Sequence, residues 1–544
     1  MSDVVGAVQG EGGEVFTREA LRWIPKILTL QDRNRHSPTY GCFDRNYWQY
    51  KIIDFPSGMS QEFVLPLALA WAADVEGNFF FRRDALREWA EAGMLYAARS
   101  AHPDGSCDDY FPFEKAGGAA AFSLLACAEA YSILGLDNPD LLRFFELRGD
   151  WLAHHHESGQ LTNHQALIVL GLMRVGDLIG SDKWRGAIDQ RLGRVLEWQN
   201  EEGWFQEYEG CDPGYHTLTI SLLAQIHEVD PTPALRDALK RAVRLAAEFI
   251  HPDGSFAGEY GSRNTYNFFP HGFEVFGRHF PEALAVNDQF LAGLGAGLGP
   301  CYADDHIVGH HTWNYLLAGR DFVRDRPVSP ERPVGRTHLK NAGILIDRRG
   351  ASELYVALNK GGVFKFFRDG ELLASDTQVS LTVSDGKERN AVAHLVSEAP
   401  CDLTVDKITI SGSMGWAKQK DMTPFRLIAL RILMLGGGRL FPDLVRKLLQ
   451  KVLITGKSEA PFRFERTLHW DRDGTGRDLL RVSDRVTGER WENVGKAGIG
   501  CDQTSIYVVM SRTFQAGQLL PWIDLTDRLE ELGPGDTLTY ERDI

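Results

Sequence analysis

Two short stretches carry residue types suited to moving a proton on a sugar. Thr162-Asn163-His164 opens one amphipathic run, and Glu207 to Thr219, EYEGCDPGYHTLT, opens the next of its kind, with Tyr215 and His216 behind a Gly/Pro-punctuated loop. Taking the proton from carbon 5 of a uronic acid makes a carbanion beside a carboxylate, so donors or cations must neutralise that carboxylate before a side-chain base can succeed. Asn163 and His164 are suitable donors. Tyr215 is a suitable base once nearby positive charge lowers its phenol from about 10; His216, His271, Arg45 and Arg263 are the candidate sources. Taken singly, a histidine at a helix start is usually a cap and a tyrosine in such a loop is usually packing. Their recurrence at equivalent places in successive units is what joins them.

The elements that must position them are helices. Apolar residues recur at i, i+3, i+4 in Phe63–Ala72, Leu86–Ala98, Ala119–Leu134, Leu141–Ala153, Ala166–Ile179, Ile188–Trp198, Leu218–Ile226, Leu235–Phe249 and Ala303–Leu317. The loops between them repeat, with Gly105, Gly159, Gly203 and Gly254 about 50 residues apart, the length of a helical hairpin with its connections. Hairpins of this period stack as a solenoid or curl into a ring. Aromatic and ionisable residues crowd one class of loop, which favours an (α/α) toroid whose rim gathers them into one cleft.

Residues 1–60 lack this periodicity and read as an irregular segment, densest in chemistry at Arg45, Tyr47 and Trp48. The toroid is expected over 61–322. A charged, proline-rich stretch at 323–337 reads as a linker. From 338 to 544 the texture changes to short runs with Gly/Asp turns, such as Ala342–Ile346, Leu354–Leu358, Val363–Phe367, Val379–Val383, Leu403–Ile410, Leu479–Val482 and Ser505–Val509, which predicts an antiparallel β-sandwich. Inside it, residues 423–457 are Leu-rich with seven Lys/Arg against one Asp. That segment reads either as a helical excursion packed on the sandwich or as a basic amphipathic element resting on an anionic membrane surface.

The chain of 544 residues has a net charge of −15, which speaks against nucleic acid as a partner. Its seven cysteines lie far apart with no CxxC, as free thiols of a reducing compartment do. No basic-then-apolar leader opens the chain and no apolar run is long enough to span a bilayer. The expected location is the cytoplasm, at the inner face of the membrane if 423–457 binds lipid.

The motif pair Asn163-His164 and EGCDPGYHTL resembles that of the heparinase II/III-like superfamily of polysaccharide lyases and related uronyl C5-epimerases. The resemblance covers the order of both domains and nearly the whole chain, and is specific at those two motifs. It implies an N-terminal (α/α) toroid followed by a β-sandwich. It also implies that Asn163 and His164 bind and neutralise the uronate carboxylate, that His164 is a further candidate base, and that Tyr215 is the catalytic acid/base. The family's sandwich often carries an H-x-H-x-D zinc segment and an H-N-T segment. Here the corresponding region reads GVFKFFRD at 362–369 and DTQVS at 376–380. No metal and no cofactor are therefore expected, and the role of the missing histidine falls to His271 or to the cluster of Asp304, Asp305, His306, His310 and His311. Expected substrate contacts are Arg45, Tyr47, Trp48, Trp204, His216, Arg263, Asn264, Tyr266 and His310.

A uronyl C5-epimerase and a polysaccharide lyase share the first step. The expected substrate is an anionic uronate polysaccharide or a lipid-linked glycan, and a cytoplasmic location favours the biosynthetic epimerase. Two other classes compete. A glycoside hydrolase would use two carboxylates from Asp108, Asp109, Glu114, Glu207, Glu209, Asp304 and Asp305. A glycan-binding protein without catalysis would stack sugars on Trp204, Phe205, Tyr208 and Tyr260, and would tolerate Tyr215→Phe.

Overall fold

The computed structural model describes residues 2–544 except 158, 208–209, 303–304, 397–398, 418–422, 443, 446–447, 449–457 and 505–512. The expected strand Ser505–Val509 and the candidate residues Tyr208, Glu209 and Asp304 lie outside the described residues, as does the side chain of His306.

The N-terminal half is built from α1 (Ser2–Leu21), α2 (Ile24–Leu30), α3 (Arg45–Trp48), α4 (Val64–Ala72), α5 (Asp84–Ser100), α6 (Gly117–Leu134), α7 (Pro139–His154), α8 (Thr162–Ile179), α9 (Arg185–Glu197), α10 (Pro213–Val229), α11 (Pro233–Glu248), α12 (His271–Gly277), α13 (Glu282–Gly295) and α14 (Asp305–Arg320). Helices α4, α6, α8, α10, α12 and α14 each touch the next, and α14 touches α4, so they close an inner ring. The outer helices pack against them. Composition explains which is which. All of Pro213–His227 in α10 is buried, as an inner helix surrounded by neighbours must be. Outer α11 instead buries Leu235, Ala238, Leu239, Ala242, Val243 and Ala246, one stripe at helical spacing.

One expectation fails at the start of the chain. Residues 1–60 are not irregular: α1 lies against α13 and α14, and α2 reaches α14 and α4, so the N-terminus supplies the outer cover where the ring closes. Phe16 is fully buried, edge-on to Tyr315 of α14 at 5.7 Å.

After the ring come two antiparallel sheets. The first has five strands in sequence order: β2 (Gly335–Leu339), β3 (Ile344–Arg349), β4 (Ser352–Ala357), β5 (Val363–Arg368) and β6 (Glu371–Asp376). The second runs from β7 (Val379–Ser384) to β16 (Thr537–Asp543), with β11 (Glu459–Arg472) and β12 (Asp478–Gly488) as its longest pair. Alternate residues of the first sheet serve two cores. Leu345, Leu354, Val356, Phe364 and Phe366 face the second sheet. Ile344, Ile346, Tyr355, Ala357, Val363 and Phe367 join the core of the helical ring. Burial on both faces is why these strands read as unbroken apolar runs.

The two halves are therefore welded. Arg348 Nη1 donates to Glu248 at 2.7 Å and Tyr355 Oη to Ile250 O at 3.3 Å. The proline-rich stretch between them is pinned too, since Arg326 is buried on Glu274 and Asp288, each at 2.7 Å. A short two-stranded ladder of β1 (Cys301–Tyr302) with β14 (Thr513–Phe514) ties the loop before α14 to the C-terminal half.

Candidate functional site

The inner helices present their first turns to one rim of the ring. Helix α10 starts sharply: Pro213 occupies its first turn and Asp212 Oδ1 accepts from the Tyr215 amide at 3.0 Å. The other Asp212 oxygen accepts from the Arg263 amide at 3.0 Å, and Thr265 Oγ1 donates to Asp212 as well. One buried carboxylate thus fixes both Tyr215 and the 258–266 loop. As a result the Arg263 guanidinium lies 3.8 Å over the centre of the Tyr215 ring.

Glu207 is the hub beneath this pair. It is wholly buried; Oε1 accepts from the Asn163 amide at 3.1 Å and from Asn163 Nδ2 at 2.6 Å, and Oε2 accepts from Arg263 Nη1 at 3.2 Å. Burial pushes its carboxyl upward, and Arg263 and then Asn163 pull against that. Each of these partners is a donor, so the pocket is built for the ionised form. Asn163 is also wholly buried, with an amide donor committed to Glu207. In this structure it positions Glu207, and through it Arg263.

His164, one residue on, turns outward. Its side chain is 20% exposed, its Nδ1 sits 2.6 Å from Glu157 Oε2, and the other Glu157 oxygen accepts from the Gly118 amide at 3.0 Å. A proton on Nδ1 shared with a carboxylate fixes the tautomer and leaves Nε2 as the basic nitrogen. The ring lies flat against Gly118 of α6, where an added Cβ would come within 2.6 Å of it.

The sandwich completes the rim. Lys360, in the turn before β5, donates to Glu259 O at 2.5 Å, Gly261 O at 2.9 Å and Asn264 Oδ1 at 2.6 Å. Asn264 holds φ = 57°, a left-handed conformation that asparagine tolerates better than most residues. Lys365 pairs with Glu259 at 3.0 Å and lies over Tyr266, whose hydroxyl accepts from Gln518 Nε2 at 2.9 Å. Asn264 and Tyr266 therefore meet the sandwich, and they hold the Arg263 loop from behind.

Several expected contacts lie elsewhere. His216 points away from the rim: Nε2 donates to Ala242 O of α11 at 2.9 Å, and burial lowers the imidazole to about 4. His271 lies deeper in the ring than Tyr215. Its amide bonds Asn314 Oδ1, and Asn314 bonds Ser221, six residues down α10 from Tyr215 or about 9 Å along the axis. Its Nε2 is held by Asp321 at 2.8 Å, beyond the C-terminal end of α14. His310 is buried, stacked on Phe122 at 4.3 Å with Nδ1 2.7 Å from Glu62, and so fastens α14 to the start of α4. Trp204 is buried too, its Nε1 on Glu202, which also receives the Ala342 amide of the sandwich. Arg45, Tyr47 and Trp48 form the half-exposed α3, capped by Asp44 and tied to α2 by Trp48 Nε1 on Leu30 O at 2.7 Å.

Three of the acids proposed for hydrolysis, Asp108, Asp109 and Glu114, hold their own loop and its neighbour. Asp108 accepts from Phe113 and Lys115 amides, Glu114 from Asp109 and Tyr110 amides, and Asp109 from Ser57 Oγ. Glu157 stood out only as part of a repeated glycine loop, and His394 carried no motif. His394 packs in the sandwich with Nδ1 3.2 Å from Thr377 O, and burial lowers it to about 3. Among the described residues, the one cluster with the spacing of metal ligands is His227, Glu228 and His279, on the α10 C-terminal side and away from this rim.

No family model and no curated protein matches the sequence. Among solved structures, a xanthan lyase from Paenibacillus aligns over 98% of this chain and 57% of its own, with a TM-score of 0.51 and 9% identity. A cellobiose 2-epimerase from Bacillus thermoamylovorans aligns over 59% of this chain and 100% of its own, at a TM-score of 0.43 and 12% identity. This chain thus spans little more than half the length of the lyase. At such identities the likeness is one of fold, and the conclusion is structural: the protein is an (α/α) toroid joined to a β-sandwich, in an arrangement shared along nearly its whole length with the Paenibacillus xanthan lyase.

Proposed function

We propose that the protein is a carbohydrate-active enzyme that abstracts the carbon-5 proton of a glycan uronate, and that it acts as a glucuronyl C5-epimerase in polysaccharide biosynthesis. The observation that carries this reading is the placement of two proton-transfer groups on neighbouring inner helices, each with its own charged partner. Tyr215 at the start of α10 has the Arg263 guanidinium 3.8 Å over the centre of its ring. His164 at the start of α8 has Glu157 behind it, 2.6 Å from Nδ1, which orients the ring and leaves Nε2 for proton transfer.

An epimerase needs such a pair. One group removes the proton from one face of the sugar, giving an enolate delocalised into the carboxylate. The other returns a proton to the opposite face and inverts the centre. A lyase needs less: after the same abstraction the electron pair expels the C4 oxygen, Tyr215 protonates it, and a 4,5-unsaturated uronate remains. The substrate that fits is an anionic uronate polymer, either free or carried on a lipid.

The test is to replace the two groups separately. Wild type, Tyr215→Phe and His164→Gln are incubated with sulfated and non-sulfated glucuronate polymers, and iduronate formation and unsaturated product are followed by NMR and ultraviolet absorbance. Each substitution should abolish epimerisation. Unsaturated product that survives His164→Gln and vanishes with Tyr215→Phe would replace the epimerase with the lyase. Activity retained by Tyr215→Phe would remove both.

A further inference from the structure

Helix α15 (Pro424–Gly436) stands on the second domain's excursion, yet it is fastened to the rim of the first. Leu430 and Met434, four residues apart, pack with Val445 on Phe111 and Phe113 in the loop before α6. Arg431 pairs with Asp54 at 2.6 Å and lies over Phe55, in the loop before α4. Both loops precede inner helices, so α15 sits on the same side of the ring as Tyr215 and His164.

Its outward face is apolar. Phe425, Ile428, Ile432 and Leu435 fall at i, i+3, i+7 and i+10, a continuous stripe opposite Leu430 and Met434, and all four are exposed, Phe425 at 79% and Ile432 at 65%. Leu440, Phe441, Leu444 and Leu448 extend the exposed surface beyond the helix. Soluble surfaces rarely leave so many large apolar side chains together in water. Basic residues accompany them: residues 423–457 hold seven Lys/Arg and one Asp, in a chain whose net charge is −15.

We propose that this face docks on an anionic lipid bilayer surface and thereby sets the mouth of the helical ring against the membrane. The charge pattern selects this occupant. A second copy meeting the face by twofold symmetry would bring a segment of basic sequence against its own like charge, whereas a bilayer offers acyl chains to the apolar stripe and anionic phosphates to a basic segment. The cytoplasmic leaflet, rich in anionic lipid, is the matching surface. The inference goes beyond the uronate reading and does not depend on it, because vesicle binding is measured without substrate.

The experiment is vesicle co-sedimentation of the full chain, with phosphatidylcholine alone and with phosphatidylcholine mixed with phosphatidylglycerol, for wild type and for the double variant Ile428→Glu/Ile432→Glu. Both positions are exposed, so the variant should keep the wild-type melting temperature. Wild type should sediment with the anionic vesicles on the order of ten-fold better than with neutral ones, and the double variant should lose that binding. Three results would overturn the proposal: no preference for anionic vesicles, undiminished binding by the double variant, or gel filtration showing a wild-type dimer that the variant converts to monomer.

Discussion

Replacing Glu207 with glutamine keeps the shape of the hub and removes its charge. The new amide would have to accept from Asn163 with one end while turning an NH2 toward Arg263 Nη1, which stands 3.2 Å from the present oxygen. Side-chain exposure is 0% for Glu207 and 7% for Arg263, so the guanidinium would be left buried without its carboxylate. Breaking one partner of such a pair costs about 3–5 kcal/mol. The entropy of unfolding near 60 °C is about 2.1 cal/mol/K per residue. Over 544 residues that amounts to about 1.1 kcal/mol/K, so the melting temperature should fall by about 3–4 °C. Activity should fall further than stability, because Arg263 freed from Glu207 no longer holds its place over Tyr215. The assays are differential scanning calorimetry and steady-state kinetics on the same preparation, with Asn163→Ala as a companion expected to shift both in the same direction. A Glu207→Gln protein with wild-type melting temperature and wild-type kcat would refute the assignment of Glu207 as the charged hub.

Other outcomes follow from single contacts. Gly118→Ala places a methyl within 2.6 Å of the His164 ring and should lower kcat with little change in melting temperature, as read by kinetics beside calorimetry. His216 is buried with its imidazole lowered to about 4 against an ordinary 6.5, so between those pH values the unfolded chain takes up a proton that the folded chain refuses. Its contribution is intact above pH 6.5 and is lost as pH falls toward 4, a change of about 3 kcal/mol in all. His216→Leu should flatten that part of the stability-versus-pH curve measured by urea unfolding. In the sandwich, Arg466 is wholly buried between Asp376 at 2.7 Å and Asp484 at 2.6 Å; Arg466→Met leaves the two carboxylates with Arg542 as their remaining shared cation and should cost about 3–5 kcal/mol, read by the same urea titration.

The apolar periodicity of the helices and the unbroken runs of the first sheet were legible because burial acts on local spacing. Helix α1 was hidden by its glycines. Gly12 and Gly13 lie against the Phe322 side chain, where an added Cβ would come within 2.5 and 3.0 Å of it, so tertiary packing favours glycine there. The candidate site was legible in part. Tyr215 and His164 were picked out by type and position, yet the neighbouring residues Asn163 and His216 turn about 100° away on their helices and face protein. Which of two adjacent residues meets the cleft depends on the phase of the helix against its neighbours, and a single sequence does not display that phase. Glu207 appeared only as one acid among seven, because its partner Arg263 lies 56 residues on. Glu157 lies in one of the repeated glycine loops, but nothing there distinguishes a carboxylate that holds a histidine from one that meets solvent.

The measurement that bears most directly on the central claim is deuterium incorporation. Wild type and Tyr215→Phe are incubated in deuterium oxide with a glucuronate polymer, and the recovered glycan is examined by NMR. Deuterium at carbon 5 with wild type and none with Tyr215→Phe is the predicted result, with no unsaturated uronate formed. Hydrolysis of the polymer with carbon 5 still fully protonated would contradict the account.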